Sequence, residues 1–161
     1  MKGTLVLDSA GLAGYLADDR KVMLLVDSAK RHDHSLVISA ATIIEAQYGG
    51  VKPARMGWVL SRLKVEDLTK DAARAAAELL RKAGLHGHRC AIDAMVAEAA
   101  LRQSPPVTLL TSDVGDLSRL CGPAVRVVGI RGTPSESQKT ESRPPSPTRG
   151  GRDPSVSAPA T

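Results

Sequence analysis

The sequence predicts a parallel α/β sheet with helices on both faces. Three observations predict it. Short runs of β-branched residues and leucine alternate along the chain with longer stretches of helical pattern. The 161 residues suffice for one domain of ordinary size with a buried core. Hydrophobic residues make up 42% of the chain, yet there is no Phe, one Trp and two Tyr, so that core must be aliphatic and rich in alanine.

From the N-terminus, TLVL (4–7) reads as a first strand and AGLAGYLAD (10–18) as a helix. VMLLVDSAKR (22–31) has helical spacing despite its valines. SLVIS (35–39) is a second strand, followed by a helix through ATIIEAQYG (41–49). A further helix lies near 53–62, and LKVEDL (63–68) holds a short strand. Residues 71–83 are helical by alanine content, with Thr69 as the cap, and Gly84 and Gly87 close that section. RCAIDAMVAEAAL (89–101) is the next helix, stopped by Pro105 and Pro106, and VTLLT (107–111) and VRVVGI (125–130) complete the strands. No internal repeat is visible.

From Gly132 onward Ser, Pro, Thr, Gly and charge dominate, with Val156 the only branched aliphatic residue. Such a segment cannot bury enough apolar surface to offset the entropy of ordering. The folded domain is therefore placed at residues 1–131, and 132–161 is expected to be a disordered Ser/Pro-rich tail.

Lys and Arg number 22 against 17 Asp and Glu, a formal charge of +5 that favours phosphate backbones or another polyanion. The scarcity of aromatics argues against a binder that stacks bases on its side chains. Asp8 interrupts the first apolar run too early for a signal peptide, and no segment reaches the roughly 18 apolar residues of a membrane span. Two cysteines, Cys90 and Cys121, make no disulfide framework. A cytoplasmic protein with free thiols and no membrane association is expected.

In parallel sheets ligands gather beyond the carboxyl ends of the strands. Asp8 directly follows TLVL, Asp113 closely follows VTLLT, Glu45 lies six residues past SLVIS, and Asp93 sits in the first turns of its own helix. Four carboxylates from four segments can therefore face one crevice. Carboxylates that close repel, and protonation or a cation must relieve them. All-oxygen donors suit Mg²⁺ or Mn²⁺, and with such ions phosphodiester hydrolysis is the matching chemistry.

Each acid also has a structural use. Asp8 or Ser9 can cap the first helix. Thr42 to Glu45 fits a capping box, although Ser39 is an equally good cap that would leave Glu45 unemployed. Asp93 in a first turn complements the helix dipole, and Asp113 or Asp116 can serve as a turn or cap residue.

In that order, LVLDSAGLAGYL, ISAATIIEAQ, AIDAMVAEAAL and LLTSDVGDL resemble the PIN domain, and specifically the VapC-type ribonuclease toxins of bacterial toxin–antitoxin pairs. The resemblance spans nearly all of residues 4–130. It implies a three-layer α/β/α fold with a mainly parallel central sheet. It also implies a Mg²⁺- or Mn²⁺-dependent endoribonuclease acting on an RNA substrate, usually a homodimer, held inactive by a cognate VapB-like antitoxin. The metal-binding and catalytic acids carried over are Asp8, Glu45, Asp93 and Asp113. Ser9 matches the hydroxyl residue after the first acid, and the hydroxyls of Thr111 and Ser112 would orient carboxylates. Asp116 competes with Asp113 for the fourth place. The Ser/Pro-rich tail and the lack of aromatics around the site depart from the family pattern without removing an acid.

Other constellations are weaker. His86, His88 and Cys90 in HGHRC match no standard structural zinc spacing. Lys30, Arg31, Lys52, Arg55, Arg62 and Lys64 can guide RNA or simply form solvated faces. Met56 and Trp58 near a glycine would suit an antitoxin helix if they lie outside. A catalytically silent PIN-like module that binds RNA or protein is the competing function. An aspartyl-phosphate phosphatase would want an acid at Ala10, and no Gly-x-Gly-x-x-Gly follows the first strand as a dehydrogenase would need.

Overall fold

TLVL, SLVIS and VTLLT are apolar nearly throughout because they form the three central strands of a sheet covered on both faces. The computed structural model describes residues 2–47 and 50–131. Its strands are β1 (Thr4–Leu7), β2 (Ser35–Ser39), β3 (Lys64–Glu66), β4 (Val107–Thr111) and β5 (Arg126–Gly129). They form one sheet in the order β3-β2-β1-β4-β5, and every pairing is parallel. The helices are α1 (Ser9–Leu16), α2 (Arg20–Arg31), α3 (Ala40–Ala46), α4 (Pro53–Leu60), α5 (Lys70–Ala83), α6 (Gly87–Leu101) and α7 (Val114–Cys121). The expected tail, and the end of the third helix at Tyr48 and Gly49, lie outside the described residues.

The period-2 geometry of the strands sorts the core into two layers. Leu5, Leu7, Leu36, Ile38 and Leu110 point to one face, where Leu12, Tyr15, Val22, Val26 and Val59 of α1, α2 and α4 cover them. Val6, Val37 and Leu109 point to the other, under Ala76, Ala94, Ala97, Leu117 and Leu120 of α5, α6 and α7. Two helical layers therefore sandwich the sheet, as the alternation predicted. The alanines of α5 and α6 let these two helices pack closely, and Ala72 and Ala76 are buried within this chain. No helix among the described residues is long and apolar enough to cross a membrane.

Local signals set the helix ends. Thr69 caps α5, its hydroxyl accepting from the Ala72 amide at 3.1 Å, and Gly84 ends it at φ +64. The capping box at Thr42 does not form. Ser39 caps α3 instead, accepting from the Ala41 amide, so Thr42 lies inside the helix with its buried hydroxyl unpartnered among the described residues. Helix α7 was not anticipated, although Asp113 in TSDVGDL, a candidate turn or cap residue in the sequence, does cap it. Met56 is buried, while Trp58 is exposed between the guanidinium groups of Arg55 and Arg62.

Candidate active site

The strand order reverses beside β1, whose neighbours are β2 on one side and β4 on the other. Helices leaving β1 and β2 lie on one face of the sheet and those after β3 and β4 on the other, so a crevice opens at the carboxyl ends of β1 and β4. Asp8 stands there. Its amide donates to Leu110 O on β4 at 3.1 Å, and its Oδ1 accepts from the Gly11 amide at 2.8 Å, which makes it the cap of α1. A side chain at Gly11 would lie 3.1 Å from Leu110 O and from Leu7 Cβ, so the glycine lets α1 press down on the strand ends.

Asp8 is buried, and burial raises its carboxyl above the usual range. The Thr111 hydroxyl and the amides of Gly11, Ala10 and Ser112 oppose that rise. Thr111 Oγ1 also accepts from the Asp113 amide at 2.8 Å, which turns the chain from β4 into α7. Asp113 caps α7, with its Oδ1 accepting from the Asp116 amide at 3.2 Å. The Ser112 side chain is exposed. On the opposite flank Ser9 Oγ donates to Glu45 Oε2, tying α1 to α3.

Asp93 reaches the crevice from α6. That helix starts at Gly87, earlier than the sequence pattern suggested, and is kinked at Cys90, where φ −114 and ψ 16 leave the helical range. Asp93 thus belongs to the turn just past the kink. Its carboxyl is pushed up to about 6, first by burial and then by the negative charges of Asp113, Asp8, Glu45 and Asp116. Four acids from three other segments thus bear on Asp93. Asp8 and Asp113 each cap a helix, and the charge of each also acts on Asp93.

Asp116 and Cys90 complete the surroundings. Ligand atoms of Cys90, Asp93 and Asp116 all lie within 4.8 Å of one another, and the thiol of Cys90 contacts Asp116 Oδ2 at 3.6 Å. Asp116 therefore lies in the same cluster as Asp93, and the charges of both Asp113 and Asp116 act on that carboxyl. His86 and His88 are exposed, so Cys90 turns toward the acids and HGHRC forms no His/Cys cluster among the described residues. Sequence reasoning passed over Cys90 as a neighbour of the acids. Its place three residues before Asp93, on the same helical side, was the available signal.

No family model matches the sequence, and no curated protein matches it. Solved structures do. VapBC2 from Rickettsia felis, solved bound to a DNA fragment from its promoter, is 20% identical and covers 78% of this chain and 98% of its own, with a TM-score of 0.60. FitAB bound to an IR36 DNA fragment is 20% identical over 78% of this chain and 94% of its own, with a TM-score of 0.58. FitAcB from Neisseria gonorrhoeae, at 19% identity, covers 77% and 96% with a TM-score of 0.53. At such identities the likeness is one of fold, and with the all-parallel five-stranded sheet between two helical layers it makes this chain a bearer of the PIN-domain fold.

Proposed function

We propose that the chain is a Mg²⁺- or Mn²⁺-dependent endoribonuclease of the VapC type. The observation that carries this reading is the convergence of Asp8, Glu45, Asp113 and Asp116 on Asp93, whose carboxyl is pushed up to about 6 first by burial and then by their charges. A structural carboxylate is normally placed beside a cation or hydrogen-bond donors. Here acids are placed beside acids, which favours a site made to be neutralised by a bound cation.

The donor set fits a hard divalent ion, since it is made of carboxylate oxygens from four separate segments. Asp8, Glu45, Asp93 and Asp113 would hold it. When bound, such an ion supplies a Lewis acid for the scissile phosphate and a lowered pKa for the attacking water. The protein's own residues do the positioning. Ser9 fixes the Glu45 carboxylate, Thr111 orients Asp8 and the start of α7, and Ser112 stands exposed at the rim. Asp116 adds charge behind Asp93 and holds the Cys90 thiol. Water attacks phosphorus directly, so no enzyme nucleophile is needed.

The solved structures it resembles are of VapBC2, FitAB and FitAcB assemblies. On that likeness the proposal extends to a cognate VapB-like antitoxin and a homodimeric toxin.

The test is cleavage of a mixed RNA pool by protein stripped of any partner, in Mg²⁺, Mn²⁺ or EDTA, with Asp93→Asn alongside. Cutting that needs the metal and vanishes in a folded Asp93→Asn protein is the expected result. Intact RNA in every condition would move the silent binding module ahead.

A further inference from the structure

Beside the acid crevice lies a second pocket of about 300 Å³, between the α5–α6 turn and α7, walled by Arg89, Arg119, His86, Cys90 and Asp116. Cys90 and Asp116, which line it, also lie with Asp93 in one cluster of ligand atoms within 4.8 Å of one another. We propose that this pocket is a phosphate subsite, holding the RNA phosphate next to the scissile one, an inference that rests on the nuclease reading above.

The charges point to an anion. Two guanidinium groups against the single Asp116 carboxylate leave one surplus positive charge, which matches one phosphodiester. Arg119 is pinned by donating to Ala83 O at 2.7 Å and lies 3.9 Å from Asp116 Oδ1, so its position is preset. Arg89 forms no ion pair among the described residues, and its fork is available for bidentate contact. The pocket also sits at the start of α6, where His86 supplies no side-chain cap and the first-turn amides add positive potential.

Continuity with the crevice selects the occupant. Five carboxylates repel a polyanion, so a substrate entering there must meet compensating positive charge within roughly a Debye length of about 8 Å. A nucleic-acid strand carries a regular row of phosphates and can place one at the acid site while its neighbour enters the arginine pocket. An acidic peptide from a partner protein would satisfy the arginines but has no use for the adjoining acids.

The decisive measurement is binding of a single-stranded RNA oligonucleotide to full-length Asp93→Asn protein in Mg²⁺ over a salt series, with and without Arg89→Ala. The Arg89 side chain is exposed and makes no hydrogen bond among the described residues, so its removal spares the fold. Arg89→Ala is expected to weaken binding several-fold and to lower the slope of log K against log salt by about 0.7, the loss of one contact to a single strand. Arg89→Lys should restore most of the slope. In the cleaving wild-type background Arg89→Ala should raise KM and leave kcat nearly unchanged. Unchanged affinity, slope and KM beside intact wild-type cleavage would overturn the subsite and leave the nuclease standing. A slope that falls in a protein that never cuts RNA would keep the phosphate pocket and sink the nuclease. Polyglutamate binding that depends on Arg89, with no RNA binding, would overturn the subsite in favour of a peptide.

Discussion

A carboxyl group whose pKa is raised by folding weakens the fold wherever the solution is more alkaline than that pKa. Asp93 goes from an ordinary 3.8 to about 6, with burial the larger cause and the other acids the second. Between those values the folded chain binds more protons than the unfolded one, so stability falls as pH rises from about 4 to about 6. Above that range the loss is complete, at most about 3 kcal/mol at roughly 1.4 kcal/mol per unit and less after solvent screening. Asp93→Asn removes the charge and keeps the volume. In EDTA at pH 7.5 the variant should therefore melt above wild type, and at pH 4 the two should melt together; saturating Mg²⁺ should narrow the gap by stabilising wild type. A variant that melts lower in EDTA at pH 7.5 would return Asp93 to a dipole role, worth a few tenths to about 1 kcal/mol. Asp8 and Asp113 were legible because each stands just past a strand end, and Asp93 because it lies in the early turns of its helix. What the sequence could not supply was their effect on one another, since that depends on β1 and β4 being neighbours.

At the scale of elements, α3 contrasts a residue that caps with one that looks as if it should. Ser39 and Thr42 are equally plausible in sequence, and only the Ser9–Glu45 hydrogen bond across from α1 reveals that Glu45 is committed elsewhere. Ser39→Ala should lower stability by about 1 kcal/mol through loss of the cap. Thr42→Val should be neutral or stabilising by up to about 1 kcal/mol, because the hydroxyl it replaces is buried without a partner among the described residues. Urea midpoints at constant m compare the two; a Thr42→Val loss as large as that of Ser39→Ala would show that the hydroxyl has a partner in solution. Helix α7 was missed for a related reason. Its eight residues are short, and Asp113 was offered as a turn or cap residue with no helix placed after it; it caps a helix whose Leu117, Leu120 and Cys121 face the core. The helical spacing of those three residues was the signal, and it places Asp116 beside Asp93. The central strands were legible to the residue, since TLVL, SLVIS and VTLLT are short, nearly continuous apolar runs buried on both faces.

At the scale of the molecule, the order β3-β2-β1-β4-β5 puts the earliest strand in the middle and the latest at an edge. Everything that shapes the crevice is in place once β4 and α7 have joined the sheet, and β5 then fastens α7 from below. Its register on β4 runs from Arg126 opposite Thr108 to Gly129 opposite Thr111, and the Ile130 amide donates to Thr111 O at 2.8 Å. Val128 and Ile130 pack against one core layer and Val127 against the other, so this short edge strand closes both. Residues beyond Arg131 are compositionally unfit to add to either layer. A chain ending at Arg131 should therefore keep its melting temperature to within about 0.5 kcal/mol of stability and its rate of RNA cleavage. A chain ending at Val125 should fail to give a cooperative transition, because it uncovers two core layers and leaves the outer ladder of β4 unpaired. Thermal melts and cleavage assays of the two truncations decide the matter. A loss of cleavage on removing 132–161 alone, with the melt unchanged, would instead assign that segment to substrate binding, where Arg143, Arg149 and Arg152 could extend the positive charge met by the RNA.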